Sequence, residues 1–180
     1  SGENTYNKDY LESLAIYRKI CNEVINDNTI LFHCSAMMID GKAYLFTGPS
    51  GTGKSTHVRL WKEHFKSRVT VINDDKPLVH YDDKENEYYV YGTPWCGKHG
   101  ISANVKVKIE GIVILHQDKK NHICLMDSNA AYPQILSQTY RPKADTEKIL
   151  KILKILDSFI KIPIYEMGCT ISVEAVEMAY

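Results

Sequence analysis

The run Tyr44-Leu45-Phe46-Thr47-Gly48-Pro49-Ser50-Gly51-Thr52-Gly53-Lys54-Ser55-Thr56 constrains this chain more than any other. It reads as an apolar strand, then G-x-x-x-x-G-K-S, then the opening of a helix, the context that a phosphate-binding P-loop requires. Gly48, Gly51 and Gly53 let the backbone turn tightly and aim its N–H groups at phosphate oxygens. A helix opening near Gly53 adds donors without intrahelical partners and the positive end of its dipole. Lys54 supplies a compact positive charge for the β and γ phosphates, and Ser55 a hydroxyl for Mg²⁺. Gly48, Pro49, Ser50, Gly51, Thr52, Gly53, Lys54, Ser55 and Thr56 are therefore the candidate nucleotide-binding set. A P-loop binds nucleotide without naming the reaction.

The rest of the chain frames this loop. Its 180 residues suit one domain with its own core. Twenty-two basic residues balance 22 acidic ones, so the charge excess of a nucleic-acid binder is lacking. No apolar run reaches the ~20 residues that cross a membrane, and no leader pattern opens the chain, so no membrane partner is expected. Five scattered cysteines (Cys21, Cys34, Cys96, Cys124, Cys169) include no C-x-x-C pair, which predicts free thiols in a cytoplasmic protein.

Periodicity predicts a helix over Tyr10–Asn26, with Asp9 as its cap, and a strand at Thr29–Phe32. Strands at Cys34–Ile39 and Ala43–Phe46 flank Asp40-Gly41, a strong hairpin signal. The P-loop helix is expected over Lys54–Phe65, and strands follow at Val69–Ile72, Leu78–Tyr81 and Tyr88–Tyr91. A glycine-rich loop spans Gly92–Gly100, and a loop of that length in a compact domain is usually functional or mobile. Two further strands are read at Val105–Ile109 and Gly111–His116, and another at His122–Leu125. Helices are expected at Ser128–Gln138, despite Pro133, and at Thr146–Ile160, with Ile149, Leu150, Leu153, Leu156 and Ile160 on the buried face. A strand at Pro163–Met167 and a helix at Val173–Tyr180 close the chain.

Chemistry concentrates where these elements end. Asp74-Asp75 closes the strand after the P-loop helix, and ligands of open α/β sheets sit outside the carboxyl ends of strands. One carboxylate can hold Mg²⁺ and the other can take a proton from an attacking hydroxyl; a strand-end turn with solvated acids is the plainer reading. His33 precedes the hairpin and can contact a phosphate or tune the base, or be a satisfied core histidine. Lys98, in the glycine-rich loop, can reach a transferred phosphoryl group, or be a solvated lysine. His57, His64, His80, His99, His116 and His122 show no metal-ligand spacing.

The combination Phe32-His33-Cys34-Ser35, Asp40-Gly41-Lys42, Gly48–Ser55 and Ile72-Asn73-Asp74-Asp75 resembles the catalytic domain of HPr kinase/phosphorylase. It also resembles shorter HPr-kinase-like proteins, some of which phosphorylate serine on peptides made by bacterial biosynthetic clusters. The resemblance implies that His33 is the active-site histidine, Asp74 the base toward the acceptor serine, and Asp75 its neighbour at the metal, with Ser55 as the other metal ligand. It implies an α/β fold: a single P-loop domain with a mixed, partly antiparallel sheet flanked by helices, related to the HPr kinase catalytic domain and to the nucleotide domain of phosphoenolpyruvate carboxykinase. Residues 1–28 then form an N-terminal helix packed on a catalytic domain spanning 29–180. In place of the family's acidic signature segment stands Gly92-Thr93-Pro94-Trp95-Cys96-Gly97-Lys98, and Lys98 is the candidate for a phosphate contact of this branch's own.

The activity so implied uses ATP and Mg²⁺ to phosphorylate a serine hydroxyl of a peptide or small protein, with no nucleic-acid or membrane partner. Family members form rings, which leaves a homo-oligomer open. Two other readings also stay open: a kinase of a free amino acid or nucleoside, and a nucleotide-binding regulatory module without catalysis.

Overall fold

A computed structural model describes residues 8–97 and 100–180. The P-loop sits on a strand flanked by partners on both edges. That strand, β3 (Lys42–Thr47), pairs antiparallel with β2 (Cys34–Ile39) and parallel with β7 (Lys106–Gln117). The β2–β3 turn is Asp40-Gly41, both at positive φ (51° and 78°), as a two-residue hairpin whose twist matches its strands demands. β4 (Val69–Asn73) pairs antiparallel with the other edge of β2, so it runs in the same direction as β3. The carboxyl ends of β3 and β4 therefore open on the same edge of the sheet, and this places the acidic pair beside the P-loop.

On the far side, β1 (Thr29–Leu31), β5 (Leu78–Asp82) and β6 (Glu87–Tyr91) form an antiparallel ladder that ends on the first half of β7. The second half of β7 pairs parallel with β9 (Ile164–Cys169), and β8 (His122–Leu125) pairs antiparallel with β9. The result is the mixed, partly antiparallel sheet expected from the sequence, with strand order β1-β5-β6-β7-β3-β2-β4 and β9-β8 branching from β7.

Helices cover both faces. α3 (Ser128–Gln138) and α4 (Thr146–Phe159) pack over Ala36, Ala43, Leu45 and Ile112, while α2 (Lys54–Phe65) and α5 (Val173–Ala179) pack over Met37, Phe46, Val113 and Leu115. The alternation of Leu45 and Phe46 between the two cores is the period-two signature of a strand buried on both sides. Asp127 and Asp145 cap α3 and α4 by accepting backbone N–H bonds, from Asn129 and Ala130 and from Lys148 respectively. α1 (Lys8–Val24) buries Tyr17 and Cys21 and leaves Leu11, Ile16 and Ile20 exposed. Among the described residues, no helix is long and apolar enough to cross a membrane.

Three expectations change. Val105–Ile109 and Gly111–His116 fall in one twelve-residue strand, because the pairing with β3 absorbs the irregularity as a bulge between Ile109 and Gly111 and resumes at Gly111. α4 buries Ile152, Ile155, Leu156 and Phe159, whereas Leu150 is 61% exposed. Its Ile-Leu doublets recur every three residues, so two phases of the helix are almost equally apolar, and the sheet selects one of them. Asp9 lies within the first turn of α1 and does not precede it.

Candidate active site

The P-loop is shaped by three glycines with different duties. Gly48 (φ 144°) passes so close to β7 that a Cβ there would lie 2.7 Å from the Leu115 carbonyl oxygen. Gly51 and Gly53 (φ 87° and 100°) have no atom within 4 Å of where a Cβ would stand, so they present bare backbone to open space. Gly53 is the N-cap of α2 and offers no side-chain acceptor, and the first turn carries no acidic residue. The N–H groups of Lys54, Ser55 and Thr56 and the positive end of the helix thus remain for an external anion. Lys54 donates to the carbonyls of Gly48 (2.8 Å) and Pro49 (3.1 Å), which folds its ammonium over the loop. Burial lowers its pKa, against the pull of Cys34, Asp75 and Asp74. Thr52 Oγ1 donates to the Pro49 carbonyl, and Gln117 Nε2 to the Gly51 carbonyl, which tie the loop to itself and to β7. An uncapped helix end, bare glycine backbone and a lysine over the same cradle form a donor set that fits the phosphates of a nucleotide.

The acidic pair is set by Asn73. Its Oδ1 accepts the N–H groups of Asp75 (2.9 Å) and Lys76 (2.7 Å), closing a turn immediately after β4. Its Nδ2 donates to Thr93 Oγ1 (3.0 Å) and to the Thr93 carbonyl (3.1 Å), and Thr93 Oγ1 donates to the Lys76 carbonyl (2.9 Å). This buried lock joins the strand end to the glycine-rich loop and splays the two carboxylates. Asp74 is buried and accepts a hydrogen bond from Ser35 Oγ (2.6 Å). Asp75 faces His33 Nε2 at 3.2 Å and is paired with Lys76. Burial pushes the Asp75 carboxyl up, but hydrogen bonds from His33 and Lys76 outweigh it and hold the group below the usual carboxylate range.

His33 is held at both ends. Its N–H donates to the Gln138 carbonyl (2.8 Å), and its own carbonyl accepts from Thr47 Oγ1 (2.9 Å), next to the P-loop. Nδ1 pairs with the Gln138 side chain at 2.9 Å, so Gln138 and Asp75 between them fix the plane of the ring. α1 closes the other wall. Tyr17 stacks on Trp95 with ring centroids 4.2 Å apart, its hydroxyl donates to the Lys76 carbonyl (2.6 Å), and Trp95 Nε1 donates to Ser13 Oγ (2.9 Å). Burial raises the Tyr17 pKa, so the phenol stays a neutral donor.

Between these walls lies a cavity of about 1000 Å³. His33, Ser50, Gly51, Gly53, Lys54, Ser55, Thr56, Asp74 and Asp75 all line it, together with Tyr10, Ser13 and Leu14 of α1 and Pro94–Gly97. Gly48 and Pro49 support the loop from outside it, and Thr52 opens on a second cavity of about 330 Å³ beside Gln117 and Thr170. Lys98 lies outside the described residues. His33 meets Asp75, and Ser35 is the partner of Asp74. Ser35 and Asn73 stood in the quoted motif without a role, and Thr93, Gln138, Tyr17 and Ser13 were given no part in the site from the sequence. Asn73 had a signal, since an Asn at a strand end before two polar residues is a turn former. Gln138 and Ser13 had none, because their partners are distant in the chain.

No family model and no curated protein matches the chain. Among solved structures, the HPr(Ser) kinase/phosphatase from Coxiella burnetii is similar over 69% of this chain and 87% of its own, with 13% sequence identity and a TM-score of 0.33. At that level of superposition the likeness assigns no activity to this chain.

Proposed function

We propose that this chain is an ATP- and Mg²⁺-dependent kinase that phosphorylates a serine hydroxyl of a peptide or small protein. The observation that carries the reading is the single cavity in which the α2 N-terminus and Lys54 face Asp74, Asp75 and His33. A phosphate cradle alone serves any nucleotide binder; a carboxylate pair across from it, Asp74 buried and Asp75 half-buried, serves transfer. Asp74 takes the proton of the acceptor hydroxyl as its oxygen bonds to the γ phosphorus and the bond to the β-phosphate oxygen breaks, releasing ADP. Ser35, donating to Asp74, orients that carboxylate. Asp75, which its neighbours keep ionised, and Ser55 would hold Mg²⁺, which when bound would neutralise phosphate charge. Lys54 and the loop amides stabilise the charge on the phosphoryl oxygens, and His33 fixes the direction of Asp75. Lys98 enters from the sequence alone, as a second contact to the transferred group.

The test is transfer from γ-labelled ATP with Mg²⁺ to serine-containing peptides encoded near the gene and to free serine, with wild type and Asp74→Asn. Label on a peptide, reduced ~10²–10⁴-fold in the variant at unchanged ATP affinity, is the expected outcome. Label on free serine moves the protein to the small-molecule kinases. ATP bound with no label on any acceptor makes it a nucleotide-binding module.

A further inference from the structure

On the far side of β7 from the acidic pair, two histidines converge over a glycine. His116 lies near the end of β7 and His122 opens β8, and both are in register with Gly168 of β9, which runs between their strands. Strands are spaced about 4.8 Å apart, so side chains two strands apart do not normally touch. Here the imidazole centroids are 5.5 Å apart. Gly168 makes this approach available, since a Cβ there would stand 2.2 Å from His122 Cε1 and 2.9 Å from His116 Nε2. Asp118, in the turn between the two strands, accepts the Lys119 amide on Oδ1 at 2.5 Å. Its Oδ2 lies 3.9 Å from both His116 Nε2 and His122 Nδ1. The donor atoms of the three residues lie within 4.8 Å of one another. The other nitrogen of His116, Nδ1, faces Glu166 Oε1 at 3.7 Å.

We propose that His116, Asp118 and His122 form a binding site for a divalent transition-metal ion of the zinc type, outside the 1000 Å³ cavity of the acidic pair, although Asp118 also lines the smaller cavity beside Thr52. Two imidazoles and one carboxylate are the donors that zinc, cobalt and nickel prefer, whereas magnesium and calcium prefer oxygen alone. Metal–ligand bonds of about 2.0–2.2 Å need the donors slightly closer together than they stand, a movement within reach of partly exposed side chains at two strand ends and in the turn that connects them. Glu166 is placed as the outer carboxylate that orients a metal-bound histidine through its second nitrogen. The site leaves coordination positions open to water. It does not depend on the kinase reading.

Titration of the metal-stripped protein with Zn²⁺ by calorimetry, and with Co²⁺ by visible absorption, tests the site without nucleotide. One ion per chain is expected, with affinity at least ~10-fold weaker in His122→Gln, in His116→Gln and in Asp118→Asn. Gly168→Ala removes no ligand yet is expected to weaken binding as much, by forcing the rings apart. Cys124→Ser and Cys169→Ser are expected to leave the affinity unchanged, which separates the site from nearby thiols. Absence of binding at millimolar Zn²⁺, or binding that survives both histidine substitutions in variants with native melting curves, overturns the proposal.

Discussion

The two halves of the candidate active site are made in different ways. The phosphate-facing half comes from nine consecutive residues, Gly48–Thr56, and acts mainly through backbone. The carboxylate-facing half draws Ser13 and Tyr17 from α1, His33 and Ser35 from around β2, Asn73–Lys76 from the end of β4 and the turn after it, Thr93 and Trp95 from the loop, and Gln138 from α3. A backbone cradle needs particular φ angles and one lysine, and it carries little of the fold's stability. A cradle made of buried side-chain hydrogen bonds ties stability and chemistry together, because each lost partner leaves a polar group stranded.

Substitutions can break this contrast. Lys54→Met is expected to cut phosphoryl transfer ~10²–10³-fold while the melting temperature stays within about 2 °C, because a half-buried ammonium on loop carbonyls contributes little to stability. Parallel turnover and thermal-melt measurements check this, and a collapsed melt would show that the cradle is structural after all.

His57 adds an acid-sensitive element to the phosphate half. It is buried on α2, where its Nε2 accepts from Trp61 Nε1 at 2.9 Å, and burial depresses its pKa from 6.5 to about 4. The unfolded chain takes up a proton that the folded chain refuses. Stability from this group is therefore present above pH 6.5 and lost as the pH falls toward 4, by about 3 kcal/mol. Urea denaturation across that range should show the loss, and His57→Gln should flatten this part of the profile.

The carboxylate half should respond otherwise. Asn73→Ala strands two amides and Thr93, and is expected to cost about 2 kcal/mol of stability and to lower turnover, with ATP affinity retained. A loss of turnover without a loss of stability would uncouple what the structure joins. Smallest is Trp95→Phe, which keeps a ring against Tyr17 but loses the hydrogen bond to Ser13. About 1 kcal/mol is expected in denaturation, with a few-fold rise in KM for the acceptor and none for ATP.

Much of the fold was legible locally. α2, β8 and α3 fall at the bounds expected from periodicity and caps, and the Asp40-Gly41 turn forms as its residues demand. The errors arose where local pattern is degenerate. Gly111 marks a break by propensity but continues β7, because β3 pairs with it after a bulge and β9 pairs from Ile112 onward. The doublets of α4 admit two buried faces, and packing on the sheet leaves Leu150 in solvent. In the site, P-loop geometry was readable from its motif, whereas the partners of the two aspartates were not.

The sequence by itself determined the backbone geometry of the Gly48–Thr56 loop, since glycine spacing and a helix start define backbone donors within a few residues. The kind of sheet was implied by the resemblance, and the hairpin signals agreed with it. Only the tertiary structure decided that Ser35 meets Asp74 across 39 positions, that Gln138 meets His33 across 105, and that His116 and His122 lean together over Gly168. Such meetings depend on strand order and register. Those are chosen by the summed burial of the whole sheet, and no local pattern encodes them.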